Sequence, residues 1–163
     1  MAKPAKGKLK LNIDASFHTT GSGSVGAILR NDRGEVMAGM ASLIDNVMDA
    51  AAAEALALLR GLQFLQNLSC AAAIIESDSL ELVQACNRKI EICSPHAAVL
   101  AESFMYASSM DEVVFQHCRR EANEVAHQLA KKVYESRENF IWEGDPPRFI
   151  LPFVINDVTL VNF

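Results

Sequence analysis

The feature that most constrains the fold of this chain is a change of hydrophobic period near residue 46. Before that point, residues 8–17 alternate apolar and polar side chains, which is typical of a half-buried strand. Clusters of turn residues separate this segment from two further strand-like segments, near 24–30 and 35–43. Three strands in a row, joined by short turns, predict an antiparallel meander.

After residue 46, helix and strand patterns alternate. A near-capping box formed by Asn46 and Asp49 opens an alanine- and leucine-rich segment that predicts a helix to about Asn67. The remaining pattern predicts, in order, a strand at 72–76, a helix from Asp78 to about Arg88, a helix from Ser94-Pro95 to about Ser109, a strand at 113–117 and a helix from about Glu121 to Arg137. This alternation indicates an α/β fold built on a mixed sheet.

The size and composition of the chain fit one folded domain. It has 163 residues, 50 % of them apolar and 21 % charged, which excludes wholesale disorder and a disulfide scaffold. We expect a basic tail at 1–7, a domain at 8–138 and an apolar extension at 139–163, which must pack on its own domain or form a homodimer with a second copy. The four cysteines have neither disulfide nor zinc spacing and predict free thiols: Cys70, Cys86, Cys93 and Cys118.

Charge and hydropathy limit the partners of the chain. The formal net charge is -5, so no global positive field attracts nucleic acid, and any such contact must be local or metal-assisted. No apolar segment approaches the ~18 residues of a membrane span, and no hydrophobic signal follows the N-terminal lysines, so we expect no membrane contact and an intracellular location, cytoplasmic or nuclear. Those lysines predict either a solvated tail or a weak nuclear-import or phosphate patch: Lys3, Lys6, Lys8 and Lys10.

One acidic residue lies on the apolar face of a predicted helix. At about 100° per residue, Glu54 falls within the apolar arc of the first helix, together with residues such as Leu58 and Leu62. A buried carboxylate without a partner costs several kcal/mol. Glu54 therefore requires a structural salt bridge, a hydrogen-bond network or a bound metal ion.

Two further acids favour the metal interpretation. Asp14 lies on the polar face of the first strand, and Asp78 lies where the fourth strand enters a helix. Carboxylates brought together at such positions repel one another, and a hard divalent cation with a preference for oxygen relieves the repulsion. Mg²⁺ or Mn²⁺ fits this set better than zinc, and such a cluster suits two-metal phosphodiester hydrolysis.

The order and spacing of several short motifs resemble the ribonuclease H-like superfamily, in particular the type 1 domains of plant retroelement-derived proteins. The resemblance extends over about residues 9–137. The residues that carry it are Asp14-Ala15-Ser16, the strand from Gly23 to Arg30, Ala53-Glu54-Ala55, Glu76-Ser77-Asp78-Ser79 and the closing segment from His117 to His127.

The resemblance implies a ribonuclease H-like fold, with a five-stranded mixed sheet of an antiparallel meander plus two parallel strands, flanked by helices. It implies that Asp14, Glu54 and Asp78 bind Mg²⁺ or Mn²⁺ for cleavage of the RNA strand of an RNA–DNA hybrid. His117 matches the family's mobile-loop histidine, which assists proton transfer or product release. Three polar residues are assigned by their motifs to substrate binding: Ser16, Ser79 and Asn123.

The chain departs from the family pattern at two positions. His127 stands where the family has its fourth carboxylate, so the resemblance implies a metal ligand without negative charge, which Mn²⁺ tolerates better than Mg²⁺. Ala15 replaces the usual glycine after the first aspartate, where the substrate backbone passes. In addition, the segment at 87–93, which matches the family's basic protrusion, holds only two cations and one acid.

Other interpretations of the same residues remain. A domesticated module that keeps the fold and binds nucleic acid or protein without catalysis is a second hypothesis, favoured by His127 and the acidic balance. Arg119 and Arg120 either contact phosphate or are simply solvated, and Asn123 either binds substrate or supports the loop that carries His117. His18 and His96 are expected to be ordinary surface or helix-start residues.

Overall fold

A six-stranded sheet forms the frame of the domain in the computed structural model, which describes residues 7–88 and 96–161. The strands of these residues are β1 (Leu9–Phe17), β2 (Gly23–Arg30), β3 (Val36–Ile44), β4 (Ala72–Ser77), β5 (Glu112–His117) and β6 (Phe140–Glu143). The helices are α1 (Ala50–Asn67), α2 (Leu80–Arg88), α3 (Ala97–Ser108), α4 (Glu124–Ser136) and α5 (Leu151–Val161).

The sheet is mixed, as predicted, and its strand order is β5-β4-β1-β2-β3-β6. The first three strands form the expected antiparallel meander, and β4 and β5 join it in parallel beside β1. The predicted number of five strands is wrong, because β6 adds an antiparallel sixth strand beside β3. Gly39 of β3 lies opposite Trp142 of β6, and the indole ring occupies the space that a Cβ atom at Gly39 would need.

Helices cover both faces of the sheet and define two cores. On one face α1 packs over β1 and β2, burying residues such as Ile13, Leu58 and Leu62. On the other face α4 packs over β1, β2 and β3, burying Leu129 against Ile28. The absence of a side chain at Gly26 allows this approach, since a Cβ atom there would lie 2.3 Å from the Ala126 carbonyl oxygen.

Strand β1 is buried on both faces, so the prediction of a half-buried strand is wrong. Lys10 is 3 % exposed, Asn12 is fully buried and Asp14 is 4 % exposed, although all three belong to the polar face. This burial is possible because Lys10 Nζ pairs with Glu76 Oε1 at 2.7 Å and Asn12 Nδ2 donates hydrogen bonds to Glu76 and Asn123. Asp14 thus projects from a central, well-fixed strand.

Several helix boundaries differ from the predictions. Asp49, not Asn46, caps α1, and its Oδ1 accepts a hydrogen bond from the Ala52 amide at 2.7 Å. Asn46 has a φ of 57°, a left-handed conformation that a helix start cannot use. A 3₁₀ turn at Arg120–Asn123 precedes α4, and the predicted start of α3 at Ser94-Pro95 lies outside the described residues.

Several apolar side chains of the C-terminal segment pack on the α4 side of the sheet. Ile150 is fully buried against the α4 side of the sheet, in a cluster that includes Val133, Phe149 and Trp142. Three of the predicted thiols are free: Cys70, Cys86 and Cys118. Among the described helices, none has both the length and the apolar character needed to cross a bilayer.

Candidate metal centre

Three carboxylates from three different elements converge at one end of the central strands. Asp14 lies near the end of β1, Glu54 lies in the second turn of α1, and Asp78 directly follows β4. The parallel pairing of β1 with β4 sets Asn12 opposite Glu76, which brings Asp14 and Asp78 to the same edge two residues later. One carboxylate oxygen from each of the three residues lies within 4.8 Å of the other two.

The environment of these groups penalises negative charge. Burial, followed by the charges of Asp14 and Asp78, raises the pKa of Glu54 to about 9. Burial and the Asp78 charge raise the pKa of Asp14 to about 6, although a hydrogen bond from His127 partly opposes the shift. Without a bound cation, the three carboxyl groups together hold at least one proton at neutral pH. A cation that binds them would displace that proton.

Glu54 shows most clearly that the cluster lacks a counter-charge. Its Oε2 atom is buried and has no hydrogen-bond partner. In the part of the chain that the structure describes, none of the ion pairs involves Glu54, so the structural salt bridge considered from the sequence is not observed. The donor set is three hard carboxylates with an orphaned oxygen, which fits a divalent cation that prefers oxygen.

His127 stands beside the three carboxylates. Its Nδ1 shares a 2.9 Å hydrogen bond with Asp14 Oδ2, and its side chain is 43 % exposed. It is not a member of the group whose ligand atoms all lie within 4.8 Å. The residue therefore orients Asp14 directly and keeps a ring face open to the cleft.

An open cleft leads from solvent to the carboxylates. His117 lies on its rim, where Nε2 is 3.2 Å from the Asp78 carbonyl oxygen. Arg120 lies near it, with Nε 3.9 Å from Asp78 Oδ2 and a side chain that is 85 % exposed. Ala15 also lines the cleft.

The three residues assigned to substrate binding have different positions. Ser79 lines the cleft, and its Oγ also accepts a hydrogen bond from the Leu82 amide at the start of α2. Ser16 is half-buried and shares a 3.2 Å hydrogen bond with His18 Nε2. Asn123 is only 1 % exposed, so it does not face the cleft as the substrate-binding assignment requires.

Asn123 belongs to a buried polar network that sequence reasoning missed. It donates to the Ile13 carbonyl oxygen at 2.8 Å and accepts from Asn12 Nδ2 at 3.1 Å, and Asn12 also donates to Glu76 Oε2 at 3.2 Å. The network fastens the turn before α4 to the strand that carries Asp14. The sequence feature that pointed to this network was the polar face shared by Lys10, Asn12 and Asp14. That face was interpreted as facing solvent.

The predicted basic protrusion at 87–93 falls mostly outside the described residues. Of that segment, Asn87 donates to the Phe115 carbonyl oxygen at 3.3 Å, which ties the end of α2 to β5. The cations that the structure does place at the cleft are Arg119 and Arg120.

Comparison with solved structures identifies the fold. Ribonuclease H1 from the halophilic archaeon Halobacterium salinarum NRC-1 matches with a TM-score of 0.74 and 19 % identity over 80 % of this chain and 99 % of its own. The N-terminal ribonuclease H domain of a Mycobacterium tuberculosis protein matches with a TM-score of 0.72 and 20 % identity, over 79 % and 94 %. LC11 ribonuclease H1, solved in complex with an RNA/DNA hybrid, matches with a TM-score of 0.72 and 19 % identity, over 80 % and 100 %.

Comparison of sequences gives the family. No curated protein matches the chain significantly. The family model described as reverse transcriptase-like matches residues 12–133, a span that contains all three carboxylates, His117 and His127. The chain therefore belongs to the reverse transcriptase-like family, and its domain has the ribonuclease H-like fold.

Proposed function

We propose that this protein is a metal-dependent endonuclease that hydrolyses the RNA strand of RNA–DNA hybrids, leaving 5′-phosphate and 3′-hydroxyl ends. The observation that carries the proposal is the convergence of Asp14, Glu54 and Asp78 around a buried oxygen of Glu54 that has no hydrogen-bond partner. A protein gains nothing in stability from such an arrangement. A site that binds a cation accounts for it.

Asp14, Glu54 and Asp78 would hold Mg²⁺ or Mn²⁺. When bound, two such ions supply an activated water and a charge that stabilises the leaving 3′ oxygen. The carboxylates fix the geometry of the site, because Asp14 and Glu54 project from β1 and α1 and Asp78 directly follows β4. His127 orients Asp14 through their 2.9 Å hydrogen bond and contributes an imidazole, not a carboxylate, to the fourth position.

His117 has the position to move a proton at the cleft rim. Its ring is exposed and is held near Asp78 by the 3.2 Å contact with a backbone oxygen. An imidazole nitrogen in this position can accept or release a proton as the product leaves. Arg119 and Arg120 supply the positive charge beside the carboxylates that a phosphodiester requires.

We infer that the substrate is recognised by shape. An RNA–DNA hybrid presents 2′-hydroxyl groups along a wide minor groove, and contacts to them are largely independent of sequence. LC11 ribonuclease H1, whose fold this chain shares, was solved with such a hybrid. The net charge of -5 predicts modest affinity, with strong dependence on salt.

The test is cleavage of a labelled hybrid by the wild-type protein and two variants, in Mg²⁺ and in Mn²⁺. Asp78→Asn removes a charge from the cluster, whereas Glu81→Gln removes one from an exposed residue that lines the same cleft. We expect cleavage of the RNA strand by the wild type and by Glu81→Gln, and its loss in Asp78→Asn. Single-stranded and double-stranded RNA should remain intact.

A non-catalytic module is the second candidate, because His127 replaces a charged ligand and the chain is acidic. This candidate predicts binding of nucleic acid or protein without cleavage in either metal. Wild-type protein that binds the hybrid but leaves it intact at every metal concentration would favour the module over the endonuclease.

A further inference from the structure

Three side chains form a stack at the far end of the α4 face of the sheet. The rings of His18 and Tyr134 lie parallel, with centroids 3.6 Å apart and planes at 9°. The guanidinium carbon of Arg137 lies 4.2 Å from the centroid of Tyr134. Since His18 covers one face of the phenol ring, Arg137 must cover the other.

Two neighbouring elements, β1 and α4, lead from the carboxylate site to the stack. On β1, Asp14 is followed on the same face by Ser16, and Ser16 shares a hydrogen bond with His18, the first residue after the strand. Between the two ends, Ser24 Oγ donates to the Ala130 carbonyl oxygen at 2.6 Å and holds α4 against the sheet. The carboxylates and the stack therefore share one rigid frame.

On α4 the corresponding line begins at His127. At 3.6 residues per turn, Lys131 lies about 40° from His127 around the helix and Tyr134 about 20° on the other side, so the three form one stripe. Lys131 is exposed. We call the surface formed by Ser16, His18, Lys131, Tyr134 and Arg137 the stack groove.

The length of the stack groove can be estimated from both elements. Four residues of extended strand from Asp14 to His18 span about 13 Å, and seven residues of helix from His127 to Tyr134 span about 10 Å. Along one strand of a duplex, with about 3.4 Å per nucleotide, these lengths correspond to roughly three or four nucleotides.

The charge of the stack groove suits a polynucleotide. The stack groove carries two cations, Lys131 and Arg137, and the same stretch of chain holds one acid, Glu135. This local excess of positive charge contrasts with the net charge of -5 for the whole chain. A ring beside two cations suits the ribose and the adjacent phosphates of one strand of a duplex.

We propose that the stack groove binds the RNA strand about three nucleotides from the cleaved bond, with Lys131 and Arg137 on phosphates and His18 against a ribose. This inference rests on the proposed function, because it takes the strand in the groove to be the one that is cut. It assigns His18 a role that the sequence did not suggest. The proposed site is separate from the carboxylates and is made by residues that do not hold the metal.

A matched pair of variants separates this role from general electrostatics. Lys131→Gln and Lys132→Gln each remove one charge from adjacent exposed positions of α4. Lys132 lies about 140° from His127 around the helix. Its Nζ is 5.6 Å from the Phe149 ring, on the side away from the groove.

The experiment measures hybrid binding by fluorescence anisotropy in metal-free buffer at several salt concentrations, and cleavage with metal. For Lys131→Gln we expect about fivefold weaker binding and a salt slope smaller by about 0.7 to 1, the change for one lost phosphate contact. Lys132→Gln should match the wild type. His18→Ala should weaken binding of long hybrids by about fivefold, the loss of one ring contact with the strand.

Hybrid length distinguishes a contact from a structural role. Two series shorten the RNA strand from its 5′ or its 3′ end, and in one of them the deficit of Lys131→Gln and His18→Ala should vanish once fewer than about three nucleotides remain beyond the cleavage site. A deficit that persists on every length, or that Lys132→Gln shares, would overturn the inference and make the stack a clamp between β1 and α4.

The wild type separates the inference from the proposed function. Wild-type protein that binds hybrids through Lys131 but cleaves none would retain the groove and refute the endonuclease. Cleavage that is unaffected by Lys131→Gln and His18→Ala would support the endonuclease and refute the groove. An absence of both binding and cleavage would refute the endonuclease and the groove together.

Discussion

Among single residues, Glu54 provides the strongest evidence for a metal site. Its place in the apolar arc of α1 was visible in the sequence, and the structure leaves its Oε2 buried without a partner. The neutral form is favoured there, since burial and two neighbouring acids raise the pKa of Glu54 to about 9. The ionised Glu54 carboxylate therefore lowers the stability of the metal-free fold.

Glu54→Gln tests this cost through the pH dependence of stability. The pKa of Glu54 is about 9 in the folded chain, against 4.5 for the ordinary group, so the unfolded state releases the proton first and wild-type stability falls as pH rises from about 4.5 to 9. Glutamine does not titrate. Between pH 5 and pH 8 we expect the variant to gain up to about 4 kcal/mol over the wild type in free energy of unfolding.

Urea denaturation of both proteins in EDTA measures this difference. Groups other than Glu54 titrate in both proteins and largely cancel. A Glu54→Gln protein that is much less stable than the wild type at pH 8 would show that the carboxylate is structural and has a partner that stabilises it.

His127→Asp tests the fourth position of the site. Aspartate would restore a hard oxygen ligand and one negative charge beside Asp14, so we expect Mg²⁺-supported cleavage to rise relative to Mn²⁺-supported cleavage. The change should appear as a lower half-saturating Mg²⁺ concentration, with the KM for hybrid little altered. Equal half-saturation for wild type and variant, in both metals, would place residue 127 outside the metal site.

At the scale of elements, predictions based on periodicity were confirmed where a segment was long and its pattern clear. The five strands β1 to β5 and helix α1 follow from alternation or from a sustained apolar arc. Strand β6 was missed because four residues give too short a pattern, and its pairing with β3 joins residues about 100 positions apart. Helix α5 was missed because an almost uniformly apolar segment shows no period.

The packing of the C-terminal elements gives a prediction at this scale. Ile150 is fully buried where β6, α4 and α5 meet, so Ile150→Ala should cost about 2 to 4 kcal/mol in free energy of unfolding. Ile155 of α5 is 61 % exposed, and Ile155→Ala should change stability by less than about 0.5 kcal/mol. Equal effects of the two substitutions in thermal melts would contradict the observed packing.

At the scale of the whole molecule, the sheet positions every part of the proposed site. Parallel pairing of β1 with β4 brings Asp14 and Asp78 to one edge, and α1 crosses there with Glu54. The sequence indicated Glu54 because it breaks the apolar arc of its helix, and it indicated Asp14 and Asp78 because they lie on a polar strand face and at a strand end. It could not indicate the network of Asn12 and Asn123 or the stack of His18 on Tyr134, since these pairs are more than 100 residues apart and break no local pattern.

Calorimetric titration of Mn²⁺ into the metal-free protein measures whether the three carboxylates form a site for a divalent cation. At pH 7 in two buffers of different ionisation enthalpy, wild-type protein should bind the ion and release about one proton, because the pKa of Glu54 is about 9 before binding. Asp78→Asn should lose this binding, and Glu81→Gln should keep it. Undiminished binding by Asp78→Asn, or no binding by the wild type, would contradict the account.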